Sequence, residues 1–523
     1  MDYSKHIQNP SQREPIFGKS MIVNPEGGYV FEIDDWQRLR RFLILGVEGG
    51  GFYESEKKLT LESAECVRRC LTADGARTVA AIVDISDRAL APKNDAAIFA
   101  LAMATVYGDE ATRKLAFDSL PKVCRIGTHI YQFTQAREAL GAGWGRGMRR
   151  AIARWTQRND LVSQALKYQQ RNGWALRDLL RLSHAKEPKD VLDAIGKPYK
   201  KHIKPDTKTW ADIPEAEGYV RIQETKDAKL AAALIEQYQL PREVVPTELL
   251  GEPEVWAALL PHMPMTALVR NLGNLSKVGL LTPLSAATTL AKAKITDETA
   301  IRKSRIHPFA ILLGAKTYAT GHGLRGKGEW TPVPQIIEAL DSAFDLAFHN
   351  VEPTNKRFVL GIDVSSSMSW GFAGGAMSCA EAAAAMALIT ARTEPNYYIM
   401  GFATQFKDLG ITAKDTLPTV LEKTRNHNFG GTDCAIAIKW ALANKVETDV
   451  FTIFTDSDTW AGNTHACQAI CDYRKQTGLP AKLAVVAFTG HARTIADGAD
   501  PGSMDFVGMD ASLPQALAAF IAE

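Results

Sequence analysis

Between residues 361 and 371 the sequence reads GIDVSSSMSWG, placing Asp363, Ser365 and Ser367 at i, i+2 and i+4 where the apolar run Phe358-Val359-Leu360 gives out. Serine is a poor strand former and a fair loop or capping residue, so this stretch predicts an oxygen-rich loop at a strand end. Two later loops carry similar groups. FGGTDC has Thr432 after two glycines and ahead of a helical pattern, and IFTDSDT has Asp456 at the end of a strongly apolar run. Carboxylates and hydroxyls suit a hard divalent cation. Mg²⁺ keeps several waters and takes few protein ligands, so two aspartates and three hydroxyls suffice; Mn²⁺ and Ca²⁺ are the alternatives. The competing explanation is serine-rich turn chemistry with capping aspartates. No nucleophile or base for hydrolysis is placed, and a phosphatase of the aspartyl-phosphate type needs a second aspartate where this chain has Ser365. The set therefore reads as a binding site, and the chain as no enzyme.

The second pattern is charge. Residues 144–186 read WGRGMRRAIARWTQRNDLVSQALKYQQRNGWALRDLLRLSHAK. On a helical wheel, Trp144, Met148, Ala151, Ile152 and Trp155 share one face, and Arg146, Arg149, Arg150 and Arg154 fall largely on the other. Lys167 and Arg171 are spaced i, i+4, as are Arg177 and Arg181, with His184 one turn on; Asp160 and Asp178 are the acidic offsets within the stretch. Stacked helices with such faces make a phosphate-binding surface, on which Trp174, Asn172 and His184 could stack on bases or hydrogen-bond to them. The bland alternative is a solvated basic face with Trp174 in the core. GKPYKKHIKPDTK (196–208) adds charge in a Pro/Gly-broken loop, and residues 305–332 mix His307, Lys316, His322, Arg325 and Lys327 with turn glycines.

The elements that must position these groups fall into two rhythms. From about 34 to 350, short amphipathic stretches such as DDWQRLRRFLILG and EATRKLAFDSLPKVCR follow one another with Gly, Pro, Asn and Asp between them, predicting a stack of antiparallel helix pairs. After NVEPTNKR (350–357), apolar strands alternate with helices, predicting a parallel α/β sheet covered on both faces. The boundary is placed near residue 355, giving a helical unit over 1–355 and an α/β unit over 356–523. In an open α/β sheet, ligands bind at the carboxyl ends of the strands, where the three oxygen-bearing loops fall.

With 523 residues, two or more domains are expected. The formal charge of +2 excludes a globally basic polyanion binder, so any nucleic-acid surface is a local patch. Seven scattered cysteines without a CxxC pair read as reduced thiols of a cytoplasmic protein; Cys467 and Cys471, near His465, read as buried helix residues rather than metal ligands. No signal peptide is expected, and the longest apolar run (96–108) is too short to span a bilayer.

The loop series resembles the metal-ion-dependent adhesion site of von Willebrand factor A domains. That resemblance implies Ser365, Ser367 and Thr432 as direct ligands, Asp363 and Asp456 as direct or water-mediated ones, and a position open to an outside carboxylate. RRAIARW, KYQQRNGWALRDLLRLSHAK, MTALVRNLGNL, RIHPFAIL and KTYATGHGLRGK, in order with the DVSSSM, GGTDC and FTDSDT loops, resemble the Ro autoantigen or TROVE-domain family from residue 26 nearly to the C-terminus. The resemblance implies a monomeric ring of HEAT-like helical repeats joined to a von Willebrand A domain. It implies binding of small structured noncoding RNAs (Y RNAs) outside the ring and of single-stranded 3′ ends of misfolded RNAs in the hole, in RNA quality control with an exoribonuclease. Lys167, Arg171 and His184 would contact Y RNA, with Arg150, Arg154 and Arg181 on the same basic surface. The chain departs from the family pattern at Gly127, where proline is expected and a looser helix join would follow, and at Ala185, beside His184. The first ~20 residues and GKPYKKHIKP match nothing in the family. A scaffold whose metal site binds an acidic protein, or a metal-dependent hydrolase, would compete with the RNA reading.

Overall fold

The amphipathic stretches of the first half become α1 (Asp35–Leu45), α2 (Glu65–Ala73), α3 (Gly75–Asp87), α4 (Asp95–Tyr107), α5 (Glu110–Val123), α6 (Gly127–Ala139), α7 (Arg146–Trp155), α8 (Leu161–Lys167) and α9 (Leu176–Ser183). After them come α10 (Pro214–Glu224), α11 (Ala228–Tyr238), α12 (Pro253–Leu259), α13 (Met265–Lys277), α14 (Ala286–Ile295), α15 (Glu298–Ser304), α16 (Pro308–Ala319) and α17 (Pro334–Leu346). This computed structural model describes residues 11–19, 21–23, 27–32, 34–45, 64–88, 91, 94–168, 170–171, 173–185, 214–323, 328–369, 371–372, 376–402, 405–425, 431–456, 459, 461–488, 493–497, 500, 502–507 and 513–522. Asn172, the basic loop 196–208, Arg325 and Lys327 lie outside them.

The polar punctuation of the sequence works as caps. Asp74 accepts from the Arg77 N–H at 2.9 Å to start α3, and Asp109 accepts from Thr112 N–H at 2.7 Å to start α5. Helix α4 is buried continuously from Ala96 to Thr105 and forms the centre of a first core shared with α2, α3, α5, α6, α7 and α9. Its apolar run is thus an interior helix, and among the described residues no helix is long and apolar enough to cross a membrane.

The strands are β1 (Met21–Val23), β2 (Tyr29–Glu32), β3 (Gln170–Arg171), β4 (Trp174–Ala175), β5 (Arg357–Asp363), β6 (Gly371–Phe372), β7 (Met377–Ser378), β8 (Asn396–Phe402), β9 (Phe406–Asp408), β10 (Val450–Thr455), β11 (Lys482–Ala487), β12 (Arg493–Thr494) and β13 (Ser503–Val507). The main sheet runs β13-β11-β10-β5-β8-β9, parallel except for β9. Alternate residues of its strands serve two cores. Val359, Phe451, Ile453 and Val485 pack on α20 (Ile436–Ala443) and α21 (Ala466–Thr477). Phe358, Leu360, Phe454 and Val486 pack with α18 (Cys379–Thr393), α19 (Leu417–Thr424) and α22 (Leu513–Ala522). The predicted sequence of helical repeats followed by a covered α/β sheet is what the chain adopts.

Contacts between the units close on themselves. Helix α8 meets the turn Arg242–Val244, linking the first core to the second set of helices. At the far end α16 packs on α18, with Lys316 Nζ donating to Glu381 at 2.8 Å and Arg392 pairing with Asp345 at 2.5 Å. At the other end of the chain the N-terminal segment, assigned by sequence to the helical unit, lies on the α/β unit: β2 pairs antiparallel with β12, and Lys19 pairs with Asp497 at 2.7 Å.

Candidate functional site

Strand β5 ends at Asp363 and β10 at Thr455, side by side in the centre of the sheet. Chain order reverses across β5, since β10 lies on one side and β8 on the other, so the loops beyond these ends flank the crevice where doubly wound sheets bind ligands. Asp363 is 1% exposed, and Thr432 and Asp456 are also buried. The Ser365 and Ser367 hydroxyls stand 3.0 Å apart. Asp363 accepts from Ser365 N–H on one oxygen and from the Thr455 hydroxyl on the other, both at 2.9 Å. Burial, reinforced by the charge of Asp456, pushes its carboxyl up to about 7.

Two buried carboxylates that repel, ringed by hydroxyls, are the donor set a hard divalent cation would neutralise, so the residues fit such an ion. Ser365, Ser367 and Thr432 would hold it. Asp363, with both oxygens already accepting protein hydrogen bonds, suits contact through water. Among the described residues no group of three or more His, Cys, Asp or Glu is placed to hold a metal. His465 caps α21 and its Nε2 lies 2.9 Å from the Glu14 carbonyl; burial pushes the neighbouring Cys467 thiol up to about 12.

Sequence reasoning missed three residues beneath this site. Asp433, adjacent to Thr432, is buried and accepts from Lys439 Nζ at 2.7 Å, from Ala435 N–H at 2.9 Å and from Gln12 Nε2 at 2.7 Å. Thr459 hydrogen-bonds to the Gln12 side chain. The aspartate after Thr432 was visible in the GGTDC motif; nothing local marks Gln12.

The basic surface stands largely as the wheel placed it. Met148, Ala151, Ile152 and Trp155 are buried in α7, while Arg146, Arg149, Arg150 and Arg154 are exposed. Arg154 pairs with Asp118 of α5 at 3.0 Å, an offset from another helix that sequence spacing could not reveal. Trp144 precedes α7, and its ring centre lies 5.8 Å from that of Trp174; both are half-buried against the first core.

The helical i, i+4 relation of Lys167 and Arg171 does not hold. Helix α8 ends at Lys167, and Arg171 lies in the β3–β4 hairpin, paired with Trp174 across a turn in which Gly173 has φ +78°. Lys167 is exposed, with Nζ 5.5 Å from the Tyr168 ring centre. Arg177 and Arg181 do share α9 and are exposed. His184 ends that helix at φ 53°, ψ 35°, a left-handed conformation uncommon outside glycine, and is exposed.

His307 and Arg125 make their contacts within the fold. His307 Nδ1 accepts from Phe309 N–H at 3.1 Å to cap α16, and burial lowers its imidazole to about 4, so it is neutral at physiological pH. Arg125 donates to the Ser86 and Lys122 carbonyls, both at 2.9 Å. The join at Gly127 is tight. Its N–H donates to Gln164 Oε1 at 2.9 Å, and a Cβ there would lie 3.1 Å from Tyr168. Proline, usually tolerated at a first helical position, would here remove a donor and press on Tyr168. Gly127→Pro is expected to cost about 2–4 kcal/mol, read as a lowered Tm; an unchanged Tm would show that Tyr168 yields freely.

A helical array that contacts, at α16 and through the N-terminal segment, a von Willebrand A-type α/β unit with a hydroxyl-lined switch point defines the class. Residues 22–241 and 237–317 match the TROVE domain model, and residues 357–521 match the Ro60 vWA domain model. The chain is 42% identical over 506 residues to RNA-binding protein RO60 of Deinococcus radiodurans, covering 95% of each chain. It is 32% identical over 595 residues to RNA-binding protein RO60 of Caenorhabditis elegans, covering 98% of this chain and 91% of that one. The crystal structure of the Deinococcus radiodurans RO (RSR) protein superposes with a TM-score of 0.79 at 40% identity, covering 94% of this chain and 99% of that one. The chain belongs to the Ro60 family.

Proposed function

We propose that this protein binds RNA and acts in noncoding-RNA quality control. Small structured RNAs of the Y RNA type dock on the surface built by Arg150, Arg154, Lys167, Arg171, Arg181 and His184, and single-stranded 3′ ends of misfolded RNAs enter the centre of the closed helical path, where a partner exoribonuclease acts on them. The observation that carries this reading is α7, whose arginines stand exposed opposite a buried apolar face, in a chain whose relatives are named RNA-binding proteins. The protein is a binder rather than an enzyme, monomeric and cytoplasmic. Its hydroxyl-lined site takes Mg²⁺, with Mn²⁺ or Ca²⁺ as alternatives, and recruits a carboxylate from a partner protein.

A lone strand can thread a basic channel that a duplex, roughly twice as wide, does not enter. One RNA prepared with and without a single-stranded 3′ tail is therefore expected to bind more tightly when tailed, in gel-shift titrations at fixed salt. Equal affinities would sink the central site, and loss of all RNA affinity would favour a metal-dependent protein scaffold.

A further inference from the structure

We propose that Gln12 is a positioning residue of the metal site, so that divalent-cation binding and docking of the N-terminal segment are coupled. The inference rests on the metal reading above. Gln12 is 1% exposed, although it lies in a segment that meets the α/β unit from 421 residues away in sequence. Its side-chain amide spans two loops. Nε2 donates to Asp433, next to the proposed ligand Thr432, and Oε1 accepts from the Thr459 hydroxyl, three residues after Asp456. The Thr459 hydroxyl also lies 3.2 Å from the Thr432 carbonyl oxygen, and Ala461 N–H donates to that same carbonyl at 3.0 Å.

The backbone fixes the amide in place. Gln12 N–H donates to Gly462 at 3.4 Å, its carbonyl accepts from Tyr29 N–H at 2.7 Å, and the Glu14 carbonyl lies 2.9 Å from His465 Nε2. Gly462, at φ +93°, comes so close to Asp433 that a Cβ would stand 2.4 Å from its carboxylate. The loop bearing Thr432 and the loop following Asp456 are thus spaced by one buried amide from the far end of the chain. An ion held by both loops favours the arrangement Gln12 also favours, and by linkage each must strengthen the other to the same extent.

The test uses the full chain and Mn²⁺ alone. Gln12→Ala removes the bridge; Gln12→Met keeps its length but makes neither hydrogen bond. Both are expected to weaken Mn²⁺ binding, measured by electron paramagnetic resonance of the free ion, by on the order of 10-fold. In the wild-type chain, saturating Mn²⁺ is expected to slow amide hydrogen exchange across residues 11–32, at Gln12 and Tyr29 above all. Wild-type Mn²⁺ affinity in both variants, or exchange in the wild-type chain indifferent to bound Mn²⁺, overturns the coupling while leaving the metal site standing. Absence of Mn²⁺ uptake by the wild-type chain overturns the metal reading and the coupling with it.

Discussion

Replacing Lys167 and Arg171 together by alanine is expected to weaken binding of a stem-loop noncoding RNA by on the order of 100-fold or more at fixed salt. Each charge-assisted contact to phosphate is worth ~1.5–3 kcal/mol, and 1.4 kcal/mol is a factor of ten. The fold should persist. Lys167 is exposed at the end of α8, and Arg171 is held in its hairpin by backbone pairing that alanine keeps. Removing two phosphate contacts should also flatten the dependence of log affinity on log salt by about 2. Gel shifts across a salt series, with circular dichroism as the control for folding, read both effects. Unchanged affinity and slope in a folded double variant would remove these residues from the interface.

Asp363→Ala is expected to abolish uptake of Mg²⁺ or Mn²⁺ at millimolar concentration while leaving RNA affinity within about twofold. The carboxylate is buried, orders the serine loop through the Ser365 N–H and faces the charge of Asp456, so its loss removes both the local geometry and half the negative charge that favours a dication. The basic residues proposed to contact RNA belong to α7, α8, β3 and α9 or adjoin them, in the other half of the chain. Calorimetric metal titration and RNA gel shifts on the full-length variant decide the matter. Retained uptake refutes the metal assignment, and a large fall in RNA affinity would show that the two halves act together. The full chain is the proper subject, because a fragment starting at residue 356 lacks Gln12 and its bonds to Asp433 and Thr459.

Periodicity made the strongly patterned parts legible. Strand–helix alternation after residue 356 and the two faces of α7 follow from burial, which acts residue by residue along one element. Two of the three oxygen-bearing loops were legible because each sits at the end of an apolar run, and the third because two glycines precede Thr432 ahead of a helical pattern. What escaped depends on partners distant in sequence. Arg154 reads as a free cation until α5 brings Asp118 to it. Gly127 reads as slack until Gln164 and Tyr168 fill the space around it. The interval from Lys167 to Arg171 fits a helix by count, but the turn at Gly173 closes a hairpin instead. The N-terminal segment, with short strands and no helical rhythm, gave no sign that it would pair with a strand more than 400 residues ahead.

That placement sets an order of events during synthesis. Gln12 is made early, yet its partners Asp433 and Thr459, and the strand Arg493–Thr494 that receives β2, come more than 400 residues later. At ~5–20 residues per second the segment waits roughly 25–90 s on a translating ribosome before its seat exists. The first core, built from α1 to α9, draws only on nearby sequence and can assemble while that wait is under way. Gln12 and β2 therefore leave the ribosome long before the residues that seat them exist.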